Sequence, residues 1–432
     1  MKRRYGALIS LALLAIVAIA LVSGIVVSPF ARADPVGRVI PVGAHPTSIV
    51  VDSATGRAFV LNEAGNSVSV IDTAGGTSIA TIPVGVGPRA LMVDARRSRV
   101  FVLSNAEQTV IDGRYVSYMS PNRPGQVNAL DASTGQKIWT RDVGMAPDDM
   151  ALDAQGARVF VRDLSPDLRS LFSLRFVRPG VDTIDATSGR ILRRSNVDRL
   201  PTASWGPAAG GWTAHGAVLS AGGAALDDAT ARPLTLFSPL AGAVDEAANR
   251  VTLIDRNTSN VRLLDAHDGA IVADTASIGS HPAALALDRR AGRVLVVDGG
   301  IPGHVGVFAT RDGRLLRVVA VGADPRAVAV DERTGRAFVA NRLSKTVSVL
   351  DTRTGRPVRT VRVRWDPIAV VVDERTGHAL VLSAGGGSVP TPAPDRWAWL
   401  PGPIRARLPF LPRPAVPAPS ARGSVTIVDA SF

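Results

Sequence analysis

Residues 325–363 have the sequence PRAVAVDERTGRAFVANRLSKTVSVLDTRTGRPVRTVRV, and this stretch decides the fold. The apolar run 327–330 predicts a buried strand. Asp331 to Gly335 then predict a turn, because aspartate bonds nearby backbone amides and glycine tolerates positive φ. Three more strands, with a second turn at 351–355, are predicted at 336–341, 346–350 and 357–363. This stretch is therefore expected to form one four-stranded antiparallel unit.

The same register returns along the chain. A proline is followed six residues later by an aspartate at Pro46/Asp52, Pro88/Asp94, Pro147/Asp153, Pro239/Asp245, Pro282/Asp288, Pro325/Asp331 and Pro367/Asp373. Five residues after each aspartate comes a basic residue: Arg57, Arg99, Arg158, Arg250, Arg293, Arg336 and His378. Where the spacing is regular it is 42 or 43 residues, the length of one propeller blade. We expect an all-β, seven-bladed β-propeller of four-stranded blades.

The two ends of the repeat array are predicted to meet. The last repeat stops after a third strand, Thr426-Ile427-Val428-Asp429, with no fourth strand behind it. Residues 36–42 have the pattern of an outer strand and precede the first inner strand. We expect strand 36–42 to join the last blade and close the ring, which removes exposed sheet edges.

The recurrent aspartates and basic residues are interpreted as structural. Each aspartate ends the first strand of a blade, and the basic residue begins the second strand across the same turn. The two side chains are expected to pair there, where an exposed pair contributes about 0–1 kcal/mol. They are not catalytic candidates.

The first 33 residues are predicted to lie outside the propeller, which occupies residues 34–432. Lys2, Arg3 and Arg4 precede an apolar run from Ala7 to Val27, and residues 31–33 fit a signal-peptide cleavage site. The alternatives are a cleaved signal peptide and an uncleaved membrane anchor, since about 20 apolar residues span a bilayer. Both place the propeller outside the cytoplasm, as a secreted, periplasmic or cell-surface protein, because the positive charges stay inside.

The amino-acid composition limits the kinds of functional site and partner that the protein can have. The chain has 432 residues and no cysteine, which excludes disulfides, thiolate metal sites and a cysteine nucleophile. The formal net charge is +12, and about +8 remains when the four basic residues of the leader are left out. A basic extracytoplasmic surface fits anionic lipid, an envelope polymer or a partner protein better than nucleic acid. No cofactor and no metal site are predicted, and the sequence does not indicate an oligomeric state.

Four insertions interrupt the repeat, at about 105–126, 163–180, 198–238 and 385–423. The third lies between two blades, and the others lie between strands two and three of a blade. An alternative for 198–238 is a degenerate eighth blade, since it contains the apolar run 217–219.

All four insertions are expected on one face of the propeller. In a four-stranded meander, the loops between strands two and three leave on the same face as the blade-to-blade connections. We call this face the loop rim. The turns between strands one and two, and between strands three and four, occupy the opposite face, which we call the turn rim. Long loops on a rigid scaffold carry function, so the loop rim is the predicted working face.

Two sets of loop-rim residues are candidates for function. Aromatic and arginine side chains are enriched at protein interfaces, and the candidate binding residues are Trp397, Trp399, Arg405, Arg407, Phe410, Tyr115, Tyr118, Arg89, Arg326 and Arg342. For 385–423 the alternative is a proline-rich loop without a partner. A carboxylate and histidine site over the central channel is the enzymatic alternative, and its candidate catalytic residues are His45, His281, Asp324 and Asp366.

Several repeats resemble a known family. Residues 42–46 (VGAHP), 55–62 (TGRAFVLN), 67–73 (SVSVIDT), 321–325 (VGADP) and 338–341 (FVAN) resemble the YVTN-type β-propeller repeats of prokaryotic surface and periplasmic proteins. The resemblance covers most of 36–384 and 424–432. It implies an extracytoplasmic propeller that binds a protein or envelope component as a scaffold. A lactonase-like or other propeller hydrolase is the second function that such propellers imply.

Overall fold

The structure is a computed structural model. It describes residues 37–105, 107–111, 114–118, 123–145, 147–153, 156–163, 180–196, 212–214, 217–219, 225–227, 239–245, 247–255, 258–266, 270–275, 278–279, 281–385 and 422–429. Seven four-stranded antiparallel sheets form a seven-bladed β-propeller, as the repeat predicts. In the described part of the chain, no helix is long and apolar enough to cross a membrane.

The strands are numbered in chain order, and the first of them, β1 (Arg38–Ala44), belongs to the last blade. Blade 1 contains β2 (Pro46–Asp52), β3 (Arg57–Asn62), β4 (Ser67–Asp72) and β5 (Thr77–Pro83). Blade 2 contains β6 (Pro88–Asp94), β7 (Arg99–Ser104), β10 (Gln126–Asp131) and β11 (Lys137–Asp142). Between its second and third strands lies a separate hairpin of β8 (Glu107–Ile111) and β9 (Arg114–Tyr118).

Blade 3 contains β12 (Pro147–Asp153), β13 (Arg158–Asp163), β14 (Gly180–Asp185) and β15 (Ile191–Asn196). A three-stranded sheet follows, made of β16 (Trp212–Ala214), β17 (Ala217–Leu219) and β18 (Ala225–Asp227). Its first strand contacts the inner strand of blade 3. In the stretch considered as a degenerate eighth blade, the described residues thus form a three-stranded sheet.

Blade 4 contains β19 (Pro239–Asp245), β20 (Arg250–Asp255), β21 (Val261–Asp265) and β22 (Ile271–Thr275). Blade 5 contains β23 (Pro282–Asp288), β24 (Arg293–Asp298), β25 (Gly303–Ala309) and β26 (Leu315–Val321). Blade 6 contains β27 (Pro325–Asp331), β28 (Arg336–Asn341), β29 (Thr346–Asp351) and β30 (Pro357–Arg362). Blade 7 contains β31 (Pro367–Asp373), β32 (His378–Ser383) and β33 (Arg422–Asp429), and β1 completes it.

The ring closes as predicted. Strand β1 pairs antiparallel with β33, with Arg38 opposite Ile427 and Pro41 opposite Ser424. The closing strand begins at Arg38 and extends to Ala44. Ile40 and Val42 are buried in a core cluster shared by blades 7 and 1. The N-terminal strand is therefore an integral part of the last blade.

The hydrophobic core lies between neighbouring blades. In one cluster, Phe59 and Leu61 of blade 1 pack with Val100 and Val102 of blade 2. The second strands are almost wholly buried, whereas outer strands such as β5 are mostly exposed. Every inner strand has a register shift directly after its proline. Proline has no amide hydrogen to give the ladder, so a bulge at this position is expected.

The turn aspartates satisfy backbone amides, but their predicted pairing with the basic residues is mostly wrong. Asp331 Oδ1 accepts hydrogen bonds from the amides of Arg333 (3.0 Å) and Thr334 (3.2 Å). Arg158 does pair with Asp153, with 2.7 Å between Nη2 and Oδ2. The basic residues of blades 2, 5 and 7 instead bond the third-strand turn of the next blade, through Arg99 to Thr187 O, Arg293 to Thr352 O and His378 to Thr73 O. In blades 4 and 6, Arg250 and Arg336 pair with Asp265 and Asp351 of their own blade.

The inner-strand aspartates are also buried rather than exposed. Asp52, Asp94, Asp331 and Asp373 are each 0% exposed. The small energy expected for an exposed pair therefore does not apply to them. The basic residue that begins a second strand reaches the neighbouring blade because the blades lie close together. It therefore bonds the next blade more often than it pairs with the aspartate of its own turn.

Candidate functional site

A row of glycines shapes the loop rim. In five of the seven blades, a glycine precedes the inner strand by three residues and lies against the last side chain of the following second strand. A Cβ on Gly43 would come 2.5 Å from Asn62 Cγ, and one on Gly322 would come 2.8 Å from Asn341 Cγ. The same holds for Gly85 against Ser104 and Gly279 against Asp298. Only glycine fits this close approach, so the row is structural.

The polar side chains beneath this row are engaged inside their own blades. Asn62 Nδ2 donates to Ser69 Oγ at 2.9 Å, and Asn341 Nδ2 donates to Ser348 Oγ at 2.9 Å. In blade 4 an ion pair replaces the neutral pair, with 2.5 Å between Arg262 Nη1 and Asp255 Oδ2. These groups hold strands two and three together at the rim.

The four predicted catalytic residues each contact a different neighbour. His45 Nδ1 lies 3.2 Å from Glu63 Oε2. The backbone amide of His281 donates to Asp298 Oδ1 at 2.8 Å, and Asp366 Oδ1 lies 3.7 Å from Lys345 Nζ. They belong to four separate blade-to-blade connections, and the contacts shown do not assemble them into one acid-base site.

Asp324, the fourth of these residues, is clamped between two of the predicted binding arginines. Its Oδ2 accepts from Arg342 Nε at 2.6 Å, and its Oδ1 lies 2.8 Å from Arg326 Nε. Asp324 is 4% exposed, whereas the two arginine side chains are 40% and 45% exposed. The buried carboxylate therefore positions two accessible guanidinium groups at the mouth of blades 5 and 6. Its role here is that of a support for the arginines.

Arg89 lies near a second buried carboxylate on the rim. Asp148 forms a bidentate pair with Arg162, whose side chain is 4% exposed. Burial raises the pKa of Asp148 above its usual range, and the hydrogen bond from Arg162 and the charges of Arg162 and Arg89 offset this only in part. Sequence reasoning did not single out the Asp148–Arg162 pair, because its partners are brought together by a register shift next to Pro147.

Exposed apolar side chains accompany the arginines on blades 5 and 6. Ile301, in the loop between the second and third strands of blade 5, is 74% exposed, and Leu343, in the same loop of blade 6, is 53% exposed. Around the loop rim, the loop with Ile301 precedes the connection that carries Arg326, and Leu343 directly follows Arg342 in the chain. Single exposed apolar residues are ordinary, but here they occur next to clamped arginines on the elaborated face.

Trp365 extends this surface to blade 7 and was missed by the sequence analysis. Arg364 and Trp365 occupy the positions that Gly43 and Ala44 hold before blade 1. The Arg364 guanidinium carbon lies 5.2 Å from the centre of the Trp365 ring, within cation–π distance. Ala384, at the root of the insertion 385–423, donates its amide to Asp366 O at 3.1 Å. The sequence feature that could have indicated Trp365 is Arg364, which replaces the glycine found at this position before blade 1.

For the remaining candidate binding residues, no side-chain contacts are described. Trp397, Trp399, Arg405, Arg407 and Phe410 lie outside the described residues. Tyr115 and Tyr118 lie on β9, in the hairpin inserted into blade 2. Among the residues that the structure describes, no group of three or more histidine, aspartate or glutamate side chains is arranged to hold a metal ion.

Comparison with known proteins supports the fold. No family model matches the chain, and no curated protein matches it. Among solved structures, the computationally designed Ika8 protein is similar with a TM-score of 0.57 and 14% identity, over 82% of this chain and 96% of that one. BamB from Moraxella catarrhalis has a TM-score of 0.51 and 15% identity, over 78% of this chain and 96% of BamB. Hydrazine synthase from Kuenenia stuttgartiensis has 0.47 and 13%, over 82% and 95%. The likeness to Ika8 and BamB shows that the chain shares its fold with proteins of very different sequence.

Proposed function

We propose that this protein is an extracytoplasmic binding or scaffold propeller, and that its loop rim at blades 5–7 binds a protein or polymer of the cell envelope. The observation that carries the proposal is the surface formed by Ile301, Arg326, Arg342, Leu343, Arg364 and Trp365, which we call the rim patch. It combines exposed apolar side chains, an aromatic ring and guanidinium groups. These are the residue types enriched at the anchors of protein interfaces.

The arginines of the rim patch are pre-positioned. Asp324 holds Arg326 and Arg342, and Trp365 lies under Arg364. A side chain that is already oriented loses less conformational entropy when a partner binds. Guanidinium groups in fixed positions also favour carboxylate or phosphate groups on the partner. The partner is therefore expected to present anionic groups around an apolar contact.

The sequence of the leader, with three basic residues before an apolar run, supports the proposed extracytoplasmic location. The YVTN-like repeats support the same location, since proteins with such repeats act at the cell surface or in the periplasm. The likeness to BamB, at 15% identity, bears on the fold and not on the partner.

The test is capture of partners from the envelope fraction of the source cells, with identification by mass spectrometry. The double variant Ile301→Ser with Leu343→Ser is expected to lose partners that the unmodified protein captures. The matched control is Ile271→Ser with Val318→Ser, which removes two other exposed apolar side chains (53% and 47%, against 74% and 53% in the test variant) from outer strands. Equal capture by both double variants would show that the rim patch is not the binding surface.

The same preparation tests the enzymatic alternative. Substitution of His281 and Asp366 by alanine leaves the rim patch in place. If this variant loses a hydrolytic activity of the purified protein but still captures envelope partners, the protein has a lactonase-like activity in addition to its binding surface. A hydrolytic activity that depends on His281 and Asp366, with no envelope partner captured by the unmodified protein, would show that the scaffold proposal is wrong.

A further inference from the structure

The turn rim has a one-sided distribution of charge. The aspartates that end the inner strands are buried, and their carboxylates are occupied by turn amides and hydroxyls, as at Asp331 and Asp373. The arginines of the same turns are exposed to solvent. In the turns after the inner strands of blades 6 and 7, the aspartate carboxylate is thus buried, whereas the side chains of Arg333 and Arg375 are about half exposed, with Nη2 3.8 Å from that carboxylate.

Blades 5–7 concentrate these arginines. Their turns carry eight exposed arginines, which we call the arginine patch: Arg289, Arg290, Arg311, Arg314, Arg333, Arg353, Arg356 and Arg375. The exposed acidic side chains in the described turns of these blades are Asp312 and Glu374. In blade 1 the corresponding turn segments 53–56 and 73–76 have no charged residue. The described turns of blades 2 and 3 add the exposed Arg96 and Arg190. Most of the exposed turn arginines therefore lie on blades 5–7.

Neighbouring turns of the arginine patch are joined to each other. Arg333 Nε donates to Glu374 O at 3.2 Å, which links blade 6 to blade 7. Arg289 lies 2.8 Å from Glu332 Oε1, which links blade 5 to blade 6. These contacts tie successive turns together, so the patch is a continuous surface rather than eight separate side chains.

The chain also enters the propeller at this rim. Arg38 begins β1 opposite Ile427, near the end of β33 that leads to Asp429. A Cβ on Gly76, in a turn of blade 1, would lie 2.9 Å from Arg38 Cδ. The start of β1 is thus on the turn rim, beside blade 7. The sequence that precedes it contains the apolar run 7–27.

We propose that the arginine patch binds the anionic lipid headgroups of the membrane next to which the protein works, with the loop rim directed away from the bilayer. Guanidinium groups form bidentate hydrogen bonds with phosphate. The chain joins the ring on the basic rim, so a leader held at a membrane surface brings that rim towards the lipid. The proposal assigns a second surface and does not depend on what the rim patch binds.

The first test measures lipid binding by residues 35–432. These form one compact unit, and every member of the core clusters lies between Ile40 and Val428. The probes are vesicles of phosphatidylcholine alone and with about one third phosphatidylglycerol. The patch variant replaces Arg311, Arg314, Arg353 and Arg356 by glutamine. The control variant removes the same charge from the loop-rim side by replacing Arg326, Lys345, Arg362 and Arg364 by glutamine.

Binding is expected to require phosphatidylglycerol and to fall as salt screens the charges. Each arginine at an anionic surface contributes about fivefold, so the variant lacking four arginines is expected to bind on the order of 600-fold more weakly. Equal weakening in the patch and control variants would overturn the proposal. Equal binding of the unmodified protein to neutral and to anionic vesicles would also overturn it. So would a patch variant that no longer binds soluble polyphosphate but binds anionic vesicles as well as the unmodified protein does.

The second test measures orientation with the full chain in lipid nanodiscs. The chain has no cysteine, so one introduced cysteine carries a fluorophore without background. Asp312→Cys places it on the turn rim, and Asp366→Cys places it on the loop rim with the same change in charge. Headgroup-labelled quencher lipids are expected to quench the Asp312→Cys label more strongly. Stronger quenching of the Asp366→Cys label would overturn the orientation, whereas partner capture by the rim patch would be unaffected.

Discussion

Thr73 Oγ1 donates a hydrogen bond of 2.5 Å to Asp373 Oδ2, across the seam between blades 1 and 7 and 300 residues apart in the chain. His378 Nδ1 meets the carbonyl of Thr73 at 2.9 Å on the same seam. Burial by itself raises the pKa of Asp373, but hydrogen bonds from Thr73, the Arg375 amide and Thr376 outweigh it and hold the pKa below its usual range. The ionised carboxylate is therefore a stabilising part of the seam, and its contribution is lost as the pH falls through this lowered pKa.

Thr73→Val tests this seam. The valine keeps the shape but removes a donor from a buried carboxylate, so the free energy of unfolding in urea at neutral pH is expected to fall by about 1–3 kcal/mol. Thr352→Val is the matched control. Thr352 Oγ1 lies 3.2 Å from Gly335 O, as Thr73 Oγ1 lies 3.0 Å from Gly56 O. Among the described residues, Thr352 donates to no carboxylate of another blade. Equal losses would contradict a special role for the seam.

Ile40→Ala tests the closing strand. Ile40 is 3% exposed in the cluster between blades 7 and 1, so truncation is expected to lower the free energy of unfolding by about 2–5 kcal/mol. Ile79 also lies on an outer strand but is 47% exposed, and Ile79→Ala is expected to cost less than about 1 kcal/mol. Thermal or urea unfolding of both variants decides the point. A small effect of Ile40→Ala would mean that β1 contributes little to the ring.

Two aspartates of β14 predict opposite pH dependence. Burial raises the pKa of Asp182, the charge of Arg194 partly offsets this, and the charge of Asp163 adds to it. Such a group stabilises the fold most when protonated, and that stability is lost as the pH rises. Asp182→Asn is therefore expected to raise the free energy of unfolding at neutral pH by about 1 kcal/mol or more. The gain should disappear below the ordinary pKa of 3.8.

Asp185 is the matched control, three residues further along the same strand. Hydrogen bonds from the Ser188 amide and hydroxyl lower its pKa. Asp185→Asn is expected to destabilise the protein at neutral pH, by less than about 1 kcal/mol because the group is exposed. This loss should shrink as the pH falls below 3.8. Urea unfolding across that pH range should give curves of opposite sign, and parallel curves would refute the assignment.

Gly43→Ala tests the glycine row of the loop rim. A methyl group there would lie 2.5 Å from Asn62 Cγ, so a loss of about 1–3 kcal/mol is expected from the forced shift. An Asn62→Ala background removes the contacts with Cγ and Nδ2 and leaves only the 2.9 Å approach to Cβ, so the additional cost of Gly43→Ala should be clearly smaller. A double-mutant cycle measures this coupling directly. Additive effects would show that the close approach is not what requires glycine.

The architecture could be predicted from the sequence because each blade repeats the same pattern of strand and turn residues. The Pro-to-Asp register marks every inner strand, and the unpaired third strand at 426–429 shows which blade needs β1. These features depend on residues close together in the chain. The seven blades and their closure could therefore be derived without long-range information.

The contacts of the basic residues could not be derived in the same way. Arg99, Arg293 and His378 bond carbonyls of the following blade, and the distance between blades is a property of the closed ring. The burial of Asp52 and its equivalents likewise follows from the packing of one turn against the next. The predicted pairing across each turn failed for this reason.

The candidate site was predicted in part. The loop rim was identified from the insertions, and Arg326 and Arg342 are accessible there, but Asp324 supports them rather than standing over the channel as a catalytic group. Trp365 was not predicted because it lies outside the four insertions. The sign of it in the sequence was Arg364, which stands at the position of the rim glycine. The predicted binding residues between 397 and 410 stay predictions.

Strand β1 has a consequence for the order of events in synthesis. It is the first part of the propeller to leave the ribosome, and its partner β33 is the last. During the whole interval Ile40 and Val42 have no ladder to join, and the growing stack of blades ends in an open gap. The ring can therefore close only after β33 has been made. Until then its earliest strand must be kept from pairing with the wrong neighbour.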